Sequence, residues 1–326
     1  MIKATNILLT VIAGIAVALI LFWVLNWLVE RLPRKWEYRL KPYVFILPAF
    51  LAIVAYLVYP AILTILDSFK NDVSTSFVGV SNYKRLFTSD DFHQSLFNTL
   101  LWVAVVPVVS IIIGLGVAVL VDRLRPSAEK TAKTLIFMPM AISAVGAATV
   151  WRFVYAYNVP GQPQVGLLNA LVTGVGHNPV PWLTISTLRF NSFLLMVMML
   201  WAQVGFSMVL LSAAVKAVPT DTLEAARIDG ANERQIFRRV VIPQIWPTII
   251  TVFVTVVITV MKVFDIVYVM TNGNFQTNVV GVEFFNQLFT NFDNGTASAI
   301  VVILLIAIIP IMVFQVRQFN SQQAAR

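Results

Sequence analysis

Two charged side chains in an apolar stretch are the residues of this chain that could most directly do chemistry. Lys262 and Asp265 lie three residues apart in VMKVFDIVYVM, a spacing that puts both on one face of a helix and lets them pair. Ionisable groups in such surroundings usually face a bundle interior or a polar pathway for ions or solutes. Lys262 also lies about 28 Å along a helix from Pro243, where it could snorkel to the far membrane interface. Both interpretations stay open.

Uncharged polar and aromatic residues near these charges form the rest of a candidate pathway. Gln203 lies in LWAQVGFSMV, where an amide either hydrogen-bonds a neighbouring helix or lines a polar path, and both alternatives stay open. The residues that we expect along a solute path are Gln203, Trp201, Phe264, Asp265, Tyr268 and Lys262.

Patterns typical of catalysis or metal binding do not occur. His93 and His177 are the two histidines and lie far apart in sequence, whereas a metal site needs three or four clustered ligands. The absence of cysteine excludes thiol catalysis and disulfides. No G-x-x-x-x-G-K-[ST] phosphate loop is present, and no serine–histidine–acid arrangement stands out. We therefore expect no catalytic residue, no metal site and no cofactor in this chain.

The charged segment EAARIDGANERQIFRRVVIP, residues 224–243, interrupts this apolar chain. Asp221 and Glu224 have the spacing of a capping box ahead of a short helix over 222–229. Gly230 suits a tight turn or a left-handed backbone conformation. The sequence therefore predicts two short helices separated by a turn at this glycine.

The second of these helices is expected from about Asn232 to Val241, with Pro243 ending it. Apolar side chains lie on one face and arginines on the other. Two interpretations compete for the whole segment. It either lies on the cytoplasmic leaflet with its arginines near anionic lipid, or it docks a cytoplasmic partner through its alanines.

A membrane-spanning helical chain must position these residues. The chain has 326 residues, of which 59% are hydrophobic and 12% charged, whereas soluble domains carry about 25% charged residues. A span needs about 20 mostly apolar residues. The first qualifying stretch is too long for the core of a signal peptide and lacks a cleavage site, so we interpret it as a retained anchor. Seven stretches qualify: 5–29, 44–66, 97–120, 134–156, 191–215, 245–269 and 296–316.

The basic residues alternate between successive loops and so indicate an orientation. Cytoplasmic loops carry an excess of lysine and arginine. The loops after the first, third and fifth spans are rich in them, the alternate loops are poorer, and the C-terminal tail adds Arg317 and Arg326. The fold class predicted is thus an all-α polytopic membrane protein of about seven transmembrane helices, with the N-terminus outside and the C-terminus in the cytoplasm. The net charge of +8 does not argue for nucleic acid.

The spacing of the charged segment resembles the EAA signature of the membrane subunits of binding-protein-dependent ABC importers. That signature is EAA, three residues, Gly, nine residues, then I-x-L-P. The departures here are Val240 for Ile and Ile242 for Leu, both apolar exchanges. The matching residues that the resemblance implies for coupling to an ATPase are Glu224, Ala225, Ala226, Asp229, Gly230 and Pro243.

Other stretches resemble the carbohydrate-type permeases of the maltose group, and its first permease subunit in particular. They are LVYPAILTILDSF, FVGVSNYKRLF, NTLLW and FDIVYVMTNG, and they cover most of the chain beyond about residue 40. The lack of a long outer domain is similar to the shorter glycerol-phosphate and α-glucoside permeases. The resemblance implies an extra helix and basic loop in 1–43, and a six-span importer core in 44–326 that holds the coupling segment 220–243.

The resemblance also implies a function and partners. The chain would be a permease, not an enzyme, in a prokaryotic inner membrane, and would import a di- or oligosaccharide or an α-glucoside. Its partners would be a second permease, two ATPase subunits that bind ATP and Mg, an extracytoplasmic solute-binding protein and membrane lipid. The helices of 222–239 would sit in a cleft of the ATPase.

Two alternatives of other kinds remain. One is an ABC permease for a solute that is not a sugar, such as an amino acid, phosphate or molybdate, because the EAA segment alone does not separate these. The other is an ion-coupled secondary transporter that uses Lys262 and Asp265, against which the lack of other intramembrane acids argues.

Overall fold

The computed structural model describes the backbone of residues 2–31 and 33–324, and the side chains of most residues between 13 and 318. Throughout these described residues the chain is helical and forms no strand, and Lys70 and Phe77 make an isolated β-bridge. The first seven helices are α1 (Ile2–Glu30), α2 (Arg34–Ile53), α3 (Tyr59–Asp67), α4 (Ser81–Thr88), α5 (Asp90–Val121), α6 (Pro126–Phe137) and α7 (Ala144–Val154). The others are α8 (Leu167–Gly174), α9 (Phe190–Lys216), α10 (Thr220–Ile228), α11 (Glu233–Ile236), α12 (Ile242–Met261), α13 (Asp265–Thr271), α14 (Val280–Phe285) and α15 (Asn294–Ala324).

The chain divides into two compact units, Met1–Leu66 and Asp67–Arg326. In the first unit, the rings of Phe22 and Phe45 stack with centroids 6.1 Å apart and join α1 to α2. Lys41 lies 3.9 Å from the Glu30 carboxylate and so adds an ion pair between the same two helices. The predicted domain boundary after residue 43 stays a prediction.

Five helical segments in the described residues are long and apolar enough to cross a membrane. They are Trp36–Asp67, Asp90–Val121, Thr187–Lys216, Glu233–Met261 and Asn294–Gln318. A bent pair, α6 with its following turn and α7, makes a sixth. The predicted first span, 5–29, falls in α1, where most side chains before residue 19 lie outside the described part, and Leu19–Glu30 is a shorter apolar helix. The all-helical class is confirmed; the number seven stays a prediction.

The predicted span 134–156 is not one helix. After α6 ends, a 3₁₀ turn at Met138–Ala141 and an extended Ile142 change the direction by 101°. Pro139 lacks the N–H that would continue the α6 ladder. Ser143 then starts α7 by accepting a hydrogen bond from the Gly146 amide at 3.1 Å. The apolar pattern predicts one span here, but the new N-cap makes a full break.

The predicted span 245–269 is also broken, which separates Lys262 from Asp265. Helix α12 ends at Met261, and Phe264 has φ −142° and ψ −62°, outside the helical region, before α13 starts at Asp265. The two charged side chains therefore do not share one helix face, and no ion pair within 4 Å joins them. The expected pairing is wrong because the apolar pattern runs through a change of backbone direction.

Helices α5, α9 and α12 form the main core of the second unit around Trp102, Leu195 and Val256. Gly114 allows the closest approach of α5 to α9, since a Cβ there would lie 2.7 Å from the Cβ of Ser207. One turn away, the hydroxyls of Ser110 and Ser207 hydrogen-bond at 2.8 Å. Small residues and buried hydroxyls hold helices together where lipid removes the hydrophobic driving force.

The loops between spans contain short helices. The loop after the second predicted span contains α4, and the loop after the fourth contains α8. Within 270–295, α14 and a π turn at Asn286–Thr290 were not predicted. Their residues, VGVEFFNQLFT, are mostly apolar and have no side-chain N-cap, so Glu283 in the first turn of α14 is the one helix-start signal that they carry.

Replacing Gly114 with alanine tests the contact between α5 and α9. We expect Gly114→Ala to destabilise the chain by about 1–3 kcal/mol, because its Cβ overlaps backbone and Cβ atoms that cannot move aside. Gly116→Ala on the same helix is the control, since no atom lies within 4 Å of its Cβ. The measurement is the thermal unfolding midpoint of the detergent-purified protein. Equal midpoints for the two variants would contradict the close approach.

Candidate functional site

The charged segment begins with a helix whose start differs from the prediction. Pro219, with φ −59° and ψ 132°, is the residue before α10, and no side chain caps the helix. Asp221 lies within the first turn and is therefore not the N-cap of a box with Glu224. The capping box occurs on the next helix, where the Asn232 Oδ1 accepts from the Gln235 amide at 3.0 Å and Gln235 Oε1 accepts from the Asn232 amide at 2.8 Å. The predicted start of the second helix at Asn232 is confirmed.

The turn between α10 and α11 depends on Gly230. This residue has φ +82°, which confirms the left-handed conformation expected from the sequence. Asp229 precedes it at the C-cap of α10 and is exposed. A Cβ on Gly230 would meet no atom within 4 Å, so backbone conformation rather than space restricts this position.

The sequence predicts that Pro243 ends the second helix, but in the structure the helix continues past it. A π turn at Phe237–Val241 follows α11, and the Ile242 amide donates to the Phe237 carbonyl five residues back. Pro243 then occupies the first turn of α12, where its missing N–H costs little. The chain therefore passes from the charged segment into the span as one helical stretch, Glu233–Met261.

Helix α10 has an inner and an outer face. Leu223 and Ala226 pack on a cluster of buried residues that includes Val218 and Ile236 of the same chain. Glu224, Ala225 and Ile228 are exposed on the opposite side, with Ile228 86% exposed. We call these three residues the outer face of α10. The two alanines of the signature thus have different surroundings: Ala226 supports the segment, and Ala225 leaves a flat outer surface.

An ion pair ties the two short helices together. The Arg227 Nε donates to the Glu233 Oε1 at 3.0 Å across the Gly230 turn. This hydrogen bond raises the pKa of Arg227, so the guanidinium stays charged. The pair is exposed and adds little stability by itself, but it restricts how α10 and α11 lie relative to each other.

A second polar network joins the ends of α5, α6 and α9. Lys133 Nζ lies 2.7 Å from both Asp122 Oδ1 and Glu129 Oε1, and the Ser212 hydroxyl donates to Asp122 at 2.7 Å. Lys216 also donates to Glu129. The loops after the third and fifth predicted spans therefore meet, as loops on one side of a membrane should.

The loops predicted on the other side meet as well. Arg85 lies 2.5 Å from Asp293, and the Asn294 amide donates to the Asp72 carbonyl at 2.8 Å. Asn98 donates to the Gln276 carbonyl at 2.8 Å. This grouping agrees with the predicted alternation of loops, while the direction of the chain across the membrane stays a prediction.

Both helix breaks open onto one cavity of about 410 Å³ in the second unit. Met140 and Ile142 from the first break line one side, and the second break lines the other. Of the six predicted path residues, this cavity brings four together: Gln203, Lys262, Phe264 and Asp265. We call it the break cavity.

The other two predicted path residues lie beside the break cavity without lining it. Trp201 packs edge-to-face on Trp151, with ring centroids 6.0 Å apart. Tyr268 stacks on Phe264 at 4.9 Å and contacts Phe285 at 4.7 Å. Both hold lining residues or neighbouring helices in place. Sequence reasoning missed the walls formed by Met140, Met198 and Thr259, of which only Met140 carries a signal, the adjacent proline.

The break cavity combines hydrogen-bonding groups with an aromatic ring. Gln203 offers an amide, Lys262 an amine and Asp265 a carboxyl group at the start of α13. Phe264 adds a ring, and methionines supply adaptable apolar walls. Such a lining can bind a small polar solute by hydrogen bonds while packing against its apolar faces.

Comparisons with known proteins agree with this architecture. The family model described as binding-protein-dependent transport system inner membrane component matches residues 1–321. The alpha-glucoside transport system permease protein AglF of Rhizobium meliloti is 43% identical, over 97% of this chain and 97% of that protein. The osmoprotective compounds uptake permease protein GgtC of Synechocystis is 47% identical, over 86% of this chain and all of that protein.

A solved structure shares the fold. It is the crystal structure of a bacterial alginate ABC transporter in complex with an alginate pentasaccharide-bound periplasmic protein. One of its chains aligns with a TM-score of 0.75 at 20% identity, and the alignment covers 87% of this chain and 96% of that chain. The helical, membrane-spanning architecture and the match along nearly the whole chain lead to one conclusion: this multi-pass membrane protein belongs to the family of binding-protein-dependent transport system inner membrane components.

Proposed function

We propose that this chain is a permease subunit of an ATP-driven importer and forms the path for a sugar together with a second permease. The observation that carries the proposal is the break cavity, where four predicted path residues converge between the spans. The helical segment at one end of the same spans presents an outer face that is exposed among the described residues. A pathway in the membrane and a docking face beside it are the two parts that an externally powered permease needs.

The proposal includes partners and an orientation. The chain itself is not an enzyme: two cytoplasmic ATPase subunits bind ATP and Mg and hydrolyse the ATP, and an extracytoplasmic solute-binding protein delivers the solute. Seven spans, with the N-terminus outside, put α10 in the cytoplasm. Closure of the ATPase pair moves α10 and α11, and these shift the spans between inward-open and outward-open states.

Coupling in this proposal runs through the residues of the signature. Glu224 and Ala225 contact the ATPase from the outer face of α10, and Asp229 and Gly230 form the turn beside it. Ala226 and Pro243 act within the chain, one supporting α10 and the other at the start of the span. The rigid helical connection to Met261 carries a movement of the segment towards the break cavity.

The substrate class proposed is an α-glucoside or a di- or oligosaccharide. Relatives named for alpha-glucoside and for trehalose/maltose transport support it, the latter MalF of Thermococcus litoralis at 28% identity over 89% of this chain. Polar groups and the ring of Phe264 suit hydroxyls and the apolar face of a sugar ring. The relative named for osmoprotective compounds uptake favours an osmoprotective compound as a second candidate. Ion-coupled transport is disfavoured because Lys262 and Asp265 do not pair.

Replacing Gly230 with valine tests coupling to the ATPase. We expect Gly230→Val to insert in the membrane but to lose the co-purifying ATPase and ATP-driven uptake, because a β-branched residue strains a φ of +82°. Gly161→Val is the matched control: this glycine also has positive φ and an open surrounding, but lies in a predicted outer loop. If the Gly230 variant co-purifies with the ATPase and transports normally, the proposed role of this turn in coupling is wrong.

Replacing polar residues of the break cavity tests the sugar path. We expect Gln203→Leu and Asp265→Asn each to lower uptake of labelled α-glucoside by about tenfold, since each removes hydrogen bonds to a dehydrated solute. ATPase association should be unchanged. Thr255→Val is the control, because Thr255 lies one turn from the lining Thr259 and donates to its own helix. Uptake by both cavity variants equal to that of the control would remove the cavity from the path.

A further inference from the structure

A second cavity, of about 530 Å³, lies where three predicted spans reach the end of the membrane. Its apolar wall comes from the last turns of α5 and α9, with Gly116, Val119, Leu120 and Val215. Its rim comes from α10, α11 and the residues just after α5, with Arg123, Arg227, Glu233, Arg234 and Arg238. We call it the arginine groove.

The rim carries more positive charge than the described residues around it neutralise. The rim has four guanidinium groups and one carboxylate, that of Glu233, which already pairs with Arg227 at 3.0 Å. The exposed side chains of Arg123, Arg234 and Arg238 make no hydrogen bond or ion pair to the described residues. Three cations therefore border the groove without an ion-pair partner among the described residues, and an anion bound between them would be attracted by all three.

The backbone around the groove places these arginines together. The Asn232 capping box starts α11, so Arg234 lies in its first turn, and the π turn that follows carries Arg238. Residues four apart on helical backbone lie on the same side. Arg123, two residues after α5, comes from a different span. Two separate segments thus converge on one groove.

The occupant must satisfy both parts of the groove. A soluble anion such as phosphate would use the arginines but leave the apolar wall exposed, and a neutral lipid would do the reverse. We propose that the arginine groove binds an anionic phospholipid, with its phosphate on Arg123, Arg234 and Arg238 and the upper part of an acyl chain along Val119, Leu120 and Val215. Basic pockets between transmembrane helices at the cytoplasmic side suit such headgroups.

This site and the proposed ATPase contact use opposite sides of α10. Leu223 and Arg227 line the groove, while Glu224, Ala225 and Ile228 lie on the outer face. Lipid contact and partner docking, which competed as interpretations of the sequence, are thus compatible. The lipid proposal rests on the groove alone and does not depend on the transported solute.

The test compares lipid binding by matched charge variants of the full chain, co-expressed with its partners. The variant Arg123→Gln, Arg234→Gln and Arg238→Gln is compared with Arg125→Gln, Lys130→Gln and Arg239→Gln, which removes three exposed cations from the same end of the spans but outside the groove. Native mass spectrometry measures retained phosphatidylglycerol and phosphatidylcholine after delipidation and titration.

We expect the groove variant to bind phosphatidylglycerol about a hundredfold more weakly, from the loss of three arginine contacts, and the control to bind it as the wild type does. Arg→Lys at the three groove positions should restore most of the binding. Inorganic phosphate or glycerol phosphate at millimolar concentration should not displace the lipid. Thermal unfolding midpoints show whether each variant is folded.

Several results would overturn the proposal. They are equal phosphatidylglycerol binding by the groove variant and wild type, equal losses in the groove and control variants, and displacement of the lipid by inorganic phosphate. Loss of the ATPase or the second permease from the groove variant, with lipid binding intact, would assign the arginines to a protein partner instead. These lipid-binding measurements do not depend on whether the transported solute is a sugar.

Discussion

Backbone N–H and C=O groups within a bilayer need partners inside the protein, and this constraint determines where the chain departs from regular helix. Irregular backbone at membrane depth is tolerated where it is buried or lines a cavity. Apart from a π turn at Val54–Val58, the described residues of the predicted spans have two such departures, at Met138–Ser143 and at Lys262–Phe264, and both border the break cavity. The positions of the breaks and of the proposed path therefore have the same physical cause.

Helical backbone hydrogen bonding also continues where the charged segment joins the span. The π turn at Phe237–Val241 keeps the segment and span in one helical stretch despite Pro243. This continuity anchors α11 to the membrane part, α10 packs on it through Leu223 and Ala226, and the Arg227–Glu233 pair restricts how the two short helices lie. A segment held in this way leaves its outer face for the proposed ATPase contact and its arginines for the proposed lipid contact.

Sequence patterns predicted the features that depend on a single residue or on composition. The all-helical class follows from apolar length, the left-handed turn from Gly230, and the second helix start from Asn232. Four of six candidate path residues meet because polar groups in apolar spans are rare enough to mark a cavity. The loops rich in lysine and arginine also meet one another, and so do the poorer loops, as the alternation of basic residues along the chain predicts.

The misses concern changes of direction inside apolar runs. Residues 134–156 and 245–269 are mostly apolar, so their pattern does not show where a helix stops. The expected Lys262–Asp265 pair failed for this reason. The predicted helix end at Pro243 is wrong because the π turn before it places the proline in the first turn of α12, where it does not break the helix. The predicted cap at Asp221 is wrong because α10 already begins directly after Pro219.

The absence of cysteine allows a direct measurement of the central claim, that the break cavity is part of the sugar path. A single Gln203→Cys in the assembled transporter would be labelled with a soluble thiol reagent during ATP hydrolysis, with and without saturating α-glucoside delivered by the solute-binding protein. The account predicts that the transported sugar slows labelling of this cysteine on this chain, and that Thr255→Cys is labelled equally in both conditions. Labelling of Gln203→Cys that is unchanged while sugar is being transported would contradict it.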